Sequence, residues 1–165
     1  MRLLVSTLMI LFVASMGWAA ELGDDGLHKT VWMRNTFKDM REDLASANAE
    51  GKRLMILVEQ RGCIYCNKMH EEVFPVPDIR QYIIDHYFVV QLNMFGDLPV
   101  TDFDGQTLPE KQMARKWRLM FTPTLIFLPE HVPAGKTVPE AAVTIKQPDV
   151  WKFGSGVITH PGIPI

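Results

Sequence analysis

Apolar runs of strand length alternating with amphipathic helical segments predict an α/β fold, a sheet covered on both faces by helices. Three observations carry the prediction. Residues 53–59, 87–92 and 124–128 are apolar runs of strand length, the second rich in β-branched and aromatic side chains, as in a buried strand. Helical periodicity fills the stretches between them. The only two cysteines, Cys63 and Cys66, follow directly on the first run, so that a strand feeds a dithiol turn.

Each element has its own signal. Residues 36–50 place Phe37, Met40, Leu44 and Ala47 at helical spacing and end at Gly51, a helix C-cap. After the cysteines, residues 67–74 continue as helix until Pro75 and Pro77 stop it. Residues 78–86 set Ile79, Tyr82 and Ile83 on one face before the second strand. Residues 93–106 are turn-like, with Gly96-Asp97, Pro99 and Asp104-Gly105, and form a small hairpin or surface loop. Thr107 and Glu110 have capping-box spacing for a helix running to about Trp117 that buries Met113, Ala114 and Trp117. Pro123 opens the third strand, and residues 141–146 supply a last one.

Residues 1–19 read as a secretory signal: Arg2 gives the charged start, Leu3 to Val13 the apolar segment, and Gly17 and Ala19 the small residues of a cleavage site. The alternative, a retained anchor, needs roughly 20 apolar residues. Cleavage divides the chain into a signal peptide at 1–19, an N-terminal extension at 20–35, a folded domain at 36–146 and an irregular tail at 147–165. The mature chain then carries 16 basic and 19 acidic residues, a formal charge of −3. Such a balance does not point to nucleic acid as a partner. No internal repeat, phosphate loop, serine triad or carboxylate dyad is present.

The cysteine pair carries the chemistry. If a helix begins at or just after Cys63, positions i and i+3 share a face, and the two sulfurs close a small ring. At a helix start the first sulfur lies near unpaired backbone N–H groups, which favour thiolate, the nucleophile of disulfide exchange. A loop this small removes little entropy from the unfolded chain, so a cycling disulfide explains the spacing better than a stabilising one.

Taken together, a helix, a strand running into Cys63-x-x-Cys66 on a helix, and a later Thr122-Pro123 opening a strand resemble the thioredoxin superfamily over residues 37–128. Within it, Glu59-Gln60-x-Gly62-Cys63-x-Tyr65-Cys66-x-Lys68-Met69-His70 is most similar to exported SoxW-type thioredoxins of bacterial sulfur oxidation. The resemblance implies a thioredoxin-like fold: a central mixed sheet flanked by helices, with an insertion before the helix preceding the cis-proline, and an atypical C-terminus. It implies that Pro123 follows a cis bond beside the dithiol and that Thr122 pairs with substrate; a trans turn proline is the alternative. Tyr65 contacts substrate or fills the turn.

Three departures stand out. Leu57 occupies the position, six before Cys63, where many thioredoxins bury an acid. Glu59 takes that role if it points inward, or is a solvated strand-end residue. Gly62 replaces a common tryptophan and Ile64 a frequent proline, which alters access to Cys63 and the redox potential. Finally, no convincing helix follows residue 146, because Gly154, Gly156, Pro161 and Pro164 interrupt the tail. Part of one sheet face is then bare, wrapped by the tail or covered by a partner.

The expectation is therefore an exported, periplasmic thiol-disulfide oxidoreductase, working as a reductant. Cys63 attacks and Cys66 resolves; Glu59 and His70 are candidate tuning groups. No separate cofactor is needed beyond the dithiol. Its partners are protein disulfides, in sulfur oxidation or cytochrome maturation, and a membrane thiol-disulfide transporter as electron donor. One alternative is a disulfide oxidase or isomerase. Another is a Cu or Zn carrier using Cys63, Cys66 and His70, although three ligands on one helix rarely enclose a metal. His28, His86, His131 and His160 show no ligand spacing, and His70 either favours thiolate near the dithiol or faces solvent.

Overall fold

The computed structural model describes residues 20–146. The signal peptide and tail assigned to 1–19 and 147–165 lie outside them. Strands β1 (Glu21–Leu22) and β2 (His28–Lys29) make a short antiparallel hairpin, and β3 (Met33–Arg34) follows. Helix α1 (Met40–Ala49) leads to β4 (Arg53–Glu59), helix α2 (Ile64–Lys68) and a π-helical turn (Met69–Val73). Then come α3 (Pro77–His86), β5 (Tyr87–Asn93), the hairpin β6 (Pro99–Thr101) and β7 (Thr107–Pro109), and α4 (Glu110–Lys116). Strand β8 (Thr124–Phe127), the single turn α5 (Val138–Ala141) and β9 (Thr144–Lys146) complete the order.

The main sheet runs β3-β5-β4-β8-β9. Pairs β3–β5 and β4–β5 are parallel, while β4–β8 and β8–β9 are antiparallel, so the sheet is mixed. Strand β4 sits in the middle, and its alternation divides the core. Leu54, Ile56 and Val58 join Met40, Leu44, Met113 and Trp117 in one buried cluster. Met55 and Leu57 point the other way, onto Met69, Phe74 and Ile83. Glu59 continues that second parity. Among the described residues, no helix is long and apolar enough to cross a membrane.

The thioredoxin-like architecture is as the resemblance implies, with local corrections. Helix α1 starts at Met40, not residue 36, because the Asp39 side chain accepts from the Arg41 N–H and caps it there. Phe37 is therefore outside the helix and exposed. Its C-terminus is as expected: Gly51 takes φ +68° while its own N–H and that of Lys52 reach back to the Asn48 and Ala47 carbonyls. Residues 107–109 pair as β7 rather than cap a helix, and α4 opens from Pro109 at Glu110. The capping box is instead at Thr137 and Glu140 of α5. The helix after the cysteines widens into a π turn from Met69, and Pro77 starts α3 as well as ending what precedes it. Within residues 20–35, β3 is the edge strand of the main sheet.

Asp43 of α1 is buried, its carboxylate accepting from the Thr36 hydroxyl at 3.1 Å. Burial pushes its pKa from 3.8 up to about 6, against the opposing pull of that hydrogen bond. Between those two values the folded chain holds a proton that the unfolded chain has released, so raising the pH favours unfolding. Stability is expected to decline across that window by about 1–2 kcal/mol after allowing for solvent screening. Urea unfolding at pH 4 and pH 7 checks this; Asp43→Asn should flatten the difference, and an unchanged slope in the variant would assign it to other groups.

Candidate active site

Strand β4 delivers the chain to the turn at Gly62, whose φ of +71° is a backbone conformation that side-chain-bearing residues avoid. A tryptophan at this position would be strained here, which accounts for one of the departures noted above. Cys63 then caps α2 with its own sulfur, which accepts the Cys66 N–H at 3.0 Å. Cys63 and Cys66 are joined as a disulfide across a Cα–Cα distance of 5.2 Å, and both are buried.

From the opposite side the Thr122 hydroxyl donates to Cys63 Sγ at 3.3 Å, and the Thr122 carbonyl oxygen stands 3.5 Å from the same sulfur. The Thr122–Pro123 peptide bond is cis, and Thr124 begins β8, so the pairing of β8 with β4 holds this segment against the dithiol. Two donors are thus aimed at Cys63. When the disulfide opens, the same donors become charge-assisted bonds to a thiolate, which are roughly twice as strong as neutral ones.

Ile64 and Tyr65, next to Cys63, are exposed, as are Met120 and Phe121, next to Thr122. These exposed apolar residues belong to the two segments that meet at Cys63.

Behind the dithiol helix lies a polar cluster. Glu59 points inward and is completely buried. Its Oε1 accepts from His70 Nε2 at 2.9 Å and its Oε2 from Gln91 Nε2 at 2.6 Å. Gln91 also donates to the His28 carbonyl, and its own oxygen accepts from Lys29 Nζ, each at 2.8 Å. The His28 ring stacks on His70 at 4.4 Å between centroids. His70 is buried and faces neither solvent nor the sulfurs as a metal ligand. Among the described residues, the His, Cys, Asp and Glu side chains close enough to share an ion are His28, Glu59 and His70.

Sequence reasoning placed Glu59 and His70 near the dithiol but missed His28 and Gln91. Spacing alone gives His28 no partner, since it meets His70 only through the fold. Gln91 carried a usable signal: it is the polar residue inside an apolar strand, and such a residue, once buried, needs a partner.

A family model described as a thioredoxin-like domain matches residues 40–139. The chain belongs to the thioredoxin-like family. Among solved structures, it is similar to a thioredoxin from Thermus thermophilus at 24% identity, covering 66% of this chain and 71% of that one, with a TM-score of 0.47. A thioredoxin-fold protein from Helicobacter pylori shares 18% identity over 58% of each chain, with a TM-score of 0.41. A DsbH oxidoreductase shares 12% identity over 72% of this chain and 77% of that one, with a TM-score of 0.43. No curated protein sequence matches the chain significantly. Thioredoxin-like proteins are generally thiol-disulfide oxidoreductases, and this one carries the paired cysteines that such chemistry uses.

Proposed function

We propose that the protein is an exported thiol-disulfide oxidoreductase that reduces protein disulfides in the periplasm, in the manner of SoxW-type thioredoxins. The observation that carries the reading is the convergence on Cys63: the helix-start N–H of Cys66 and the Thr122 hydroxyl both donate to its sulfur.

In the reduced protein, the Cys63 thiolate attacks one sulfur of a client disulfide, forming a mixed disulfide and releasing a client thiolate. Cys66, deprotonated, then attacks Cys63 Sγ, releases the second client thiolate and closes the ring. Two electrons pass to the client and two protons end on its thiols, while the protein becomes the oxidised form seen here. Return to the dithiol needs a reductant, supplied by a membrane thiol-disulfide transporter. The exposed Ile64, Tyr65, Met120 and Phe121 suit an extended apolar client segment lying across the disulfide, with Thr122 and Pro123 as its floor. Sulfur-oxidation or cytochrome-maturation proteins are the client classes. Glu59 and His70 act on the dithiol from behind, as tuning groups, and no separate cofactor takes part.

The reduction potential of the Cys63–Cys66 pair tests the direction. Equilibration in dithiol buffers should give a value near that of thioredoxin, about −270 mV. A value near about −120 mV, as in a strong disulfide oxidant, would reverse the reading and make the protein an oxidase.

A further inference from the structure

We propose that His28, Glu59 and His70 form a binding site for one divalent transition-metal ion of the zinc class, separate from the dithiol. One ligand atom from each lies within 4.8 Å of the other two. Two imidazoles and a carboxylate are an established nitrogen and oxygen donor set for zinc, leaving a fourth position for water. Two ligand atoms at 2.0–2.1 Å on a tetrahedral ion stand about 3.3 Å apart. His70 Nε2 and Glu59 Oε1, at 2.9 Å, need to open by only a few tenths of an ångström. His28 makes the larger adjustment; it is half-buried on the two-residue strand β2, so it also offers the ion its way in.

The surroundings fit a prepared ligand set. Gln91 fixes Glu59 Oε2 and is itself held by Lys29 and the His28 carbonyl, the kind of outer support that orients metal ligands. Buried His70 uses one ring nitrogen, while Nδ1 has no hydrogen-bond partner. The ring is held by Glu59 at Nε2 and by the His28 and Phe74 rings, so it is presented to an ion in a fixed orientation. A cation would also be attracted to the carboxyl oxygens of buried Glu59. The opposing charge on Lys29 is offset by its 2.7 Å ion pair with Asp25.

The site does not use the sulfurs, so it is tested with them closed. Oxidised, metal-free protein should bind one Zn²⁺ per chain in competition with a chromogenic chelator. Bound Co²⁺ should show d–d bands without sulfur charge transfer. His28→Gln should weaken Zn²⁺ binding by about 10-fold or more, as should Glu59→Gln. His28 is half-exposed on a surface hairpin, so its variant keeps the test alive if the buried Glu59→Gln protein fails to fold. Three results overturn the proposal: no saturable binding by the oxidised protein, binding of equal affinity in His28→Gln, or binding that appears only after reduction, which assigns the ion to the cysteines. All three are read as metal binding, whereas the direction of electron flow is read as the dithiol potential of metal-free protein, so failure of one reading is distinguishable from failure of the other.

Discussion

A Cys63→Ser protein is expected to reduce client disulfides no faster than the buffer dithiol alone, a loss of at least about a thousandfold, as when a covalent nucleophile is removed. The hydroxyl that replaces the thiol does not ionise near neutral pH and cannot form the mixed disulfide. Cys66→Ser should fail differently. Its Cys63 still attacks, but nothing resolves the product, so a client-linked species should accumulate on non-reducing gels and disappear with excess dithiol. Insulin reduction followed by turbidity measures the first effect and gel trapping the second. Catalytic turnover by Cys63→Ser, or trapping by that variant rather than by Cys66→Ser, would reverse the assigned roles.

The largest expected loss of stability comes from Asp102, far from the dithiol in sequence. It is completely buried, in the turn joining β6 and β7. One carboxylate oxygen accepts the Trp117 indole N–H at 2.8 Å and meets Lys116 Nζ at 2.9 Å. The other accepts the backbone N–H groups of Phe103 and Val138 at 2.8 and 2.9 Å. One side chain thereby ties the hairpin, α4 and α5 together. Asp102→Ala strands an indole and two amides, while Lys116 keeps its 2.6 Å pair with Asp104, and should cost about 3–5 kcal/mol, since each buried donor left unsatisfied costs about 1–3 kcal/mol. At roughly 2–4 °C per kcal/mol, the melting point should drop by roughly 10 °C. Asp102→Asn, keeping one acceptor, should lose less. Thermal and urea unfolding check both; an Asp102→Ala protein within about 1 kcal/mol of the parent would mean that the hairpin relaxes onto other partners.

What the sequence made legible was local. Strand β4 was placed to the residue because a seven-residue run with both faces buried has no competing period. The dithiol turn and Thr122-Pro123 were readable because each is a short motif. Boundaries shifted where a side chain chose between two partners: Asp39 capped α1 later than Phe37 suggested, and Thr107 took a place opposite Thr101 in a hairpin. Glu59 was legible as an acid but not as a buried one, since its inward direction follows from the parity of β4 within the sheet. The cluster behind it was illegible for a different reason. His28, Glu59, His70 and Gln91 come from four separate elements, and nothing in the spacing of His28 announces the ring it stacks on.

The small β1–β2 hairpin has a mechanical meaning. Through the His28 ring on His70, and through the Gln91 bridge to Glu59, it is clipped to the same helical run that carries Cys66. Residues 20–29 are thereby packed against the element that holds His70, directly after the dithiol helix. A domain trimmed to begin at residue 36 would keep both cysteines yet lose the edge strand β3 and the His28 contacts to His70 and Gln91. Trimming into this hairpin therefore reaches the cluster behind the dithiol.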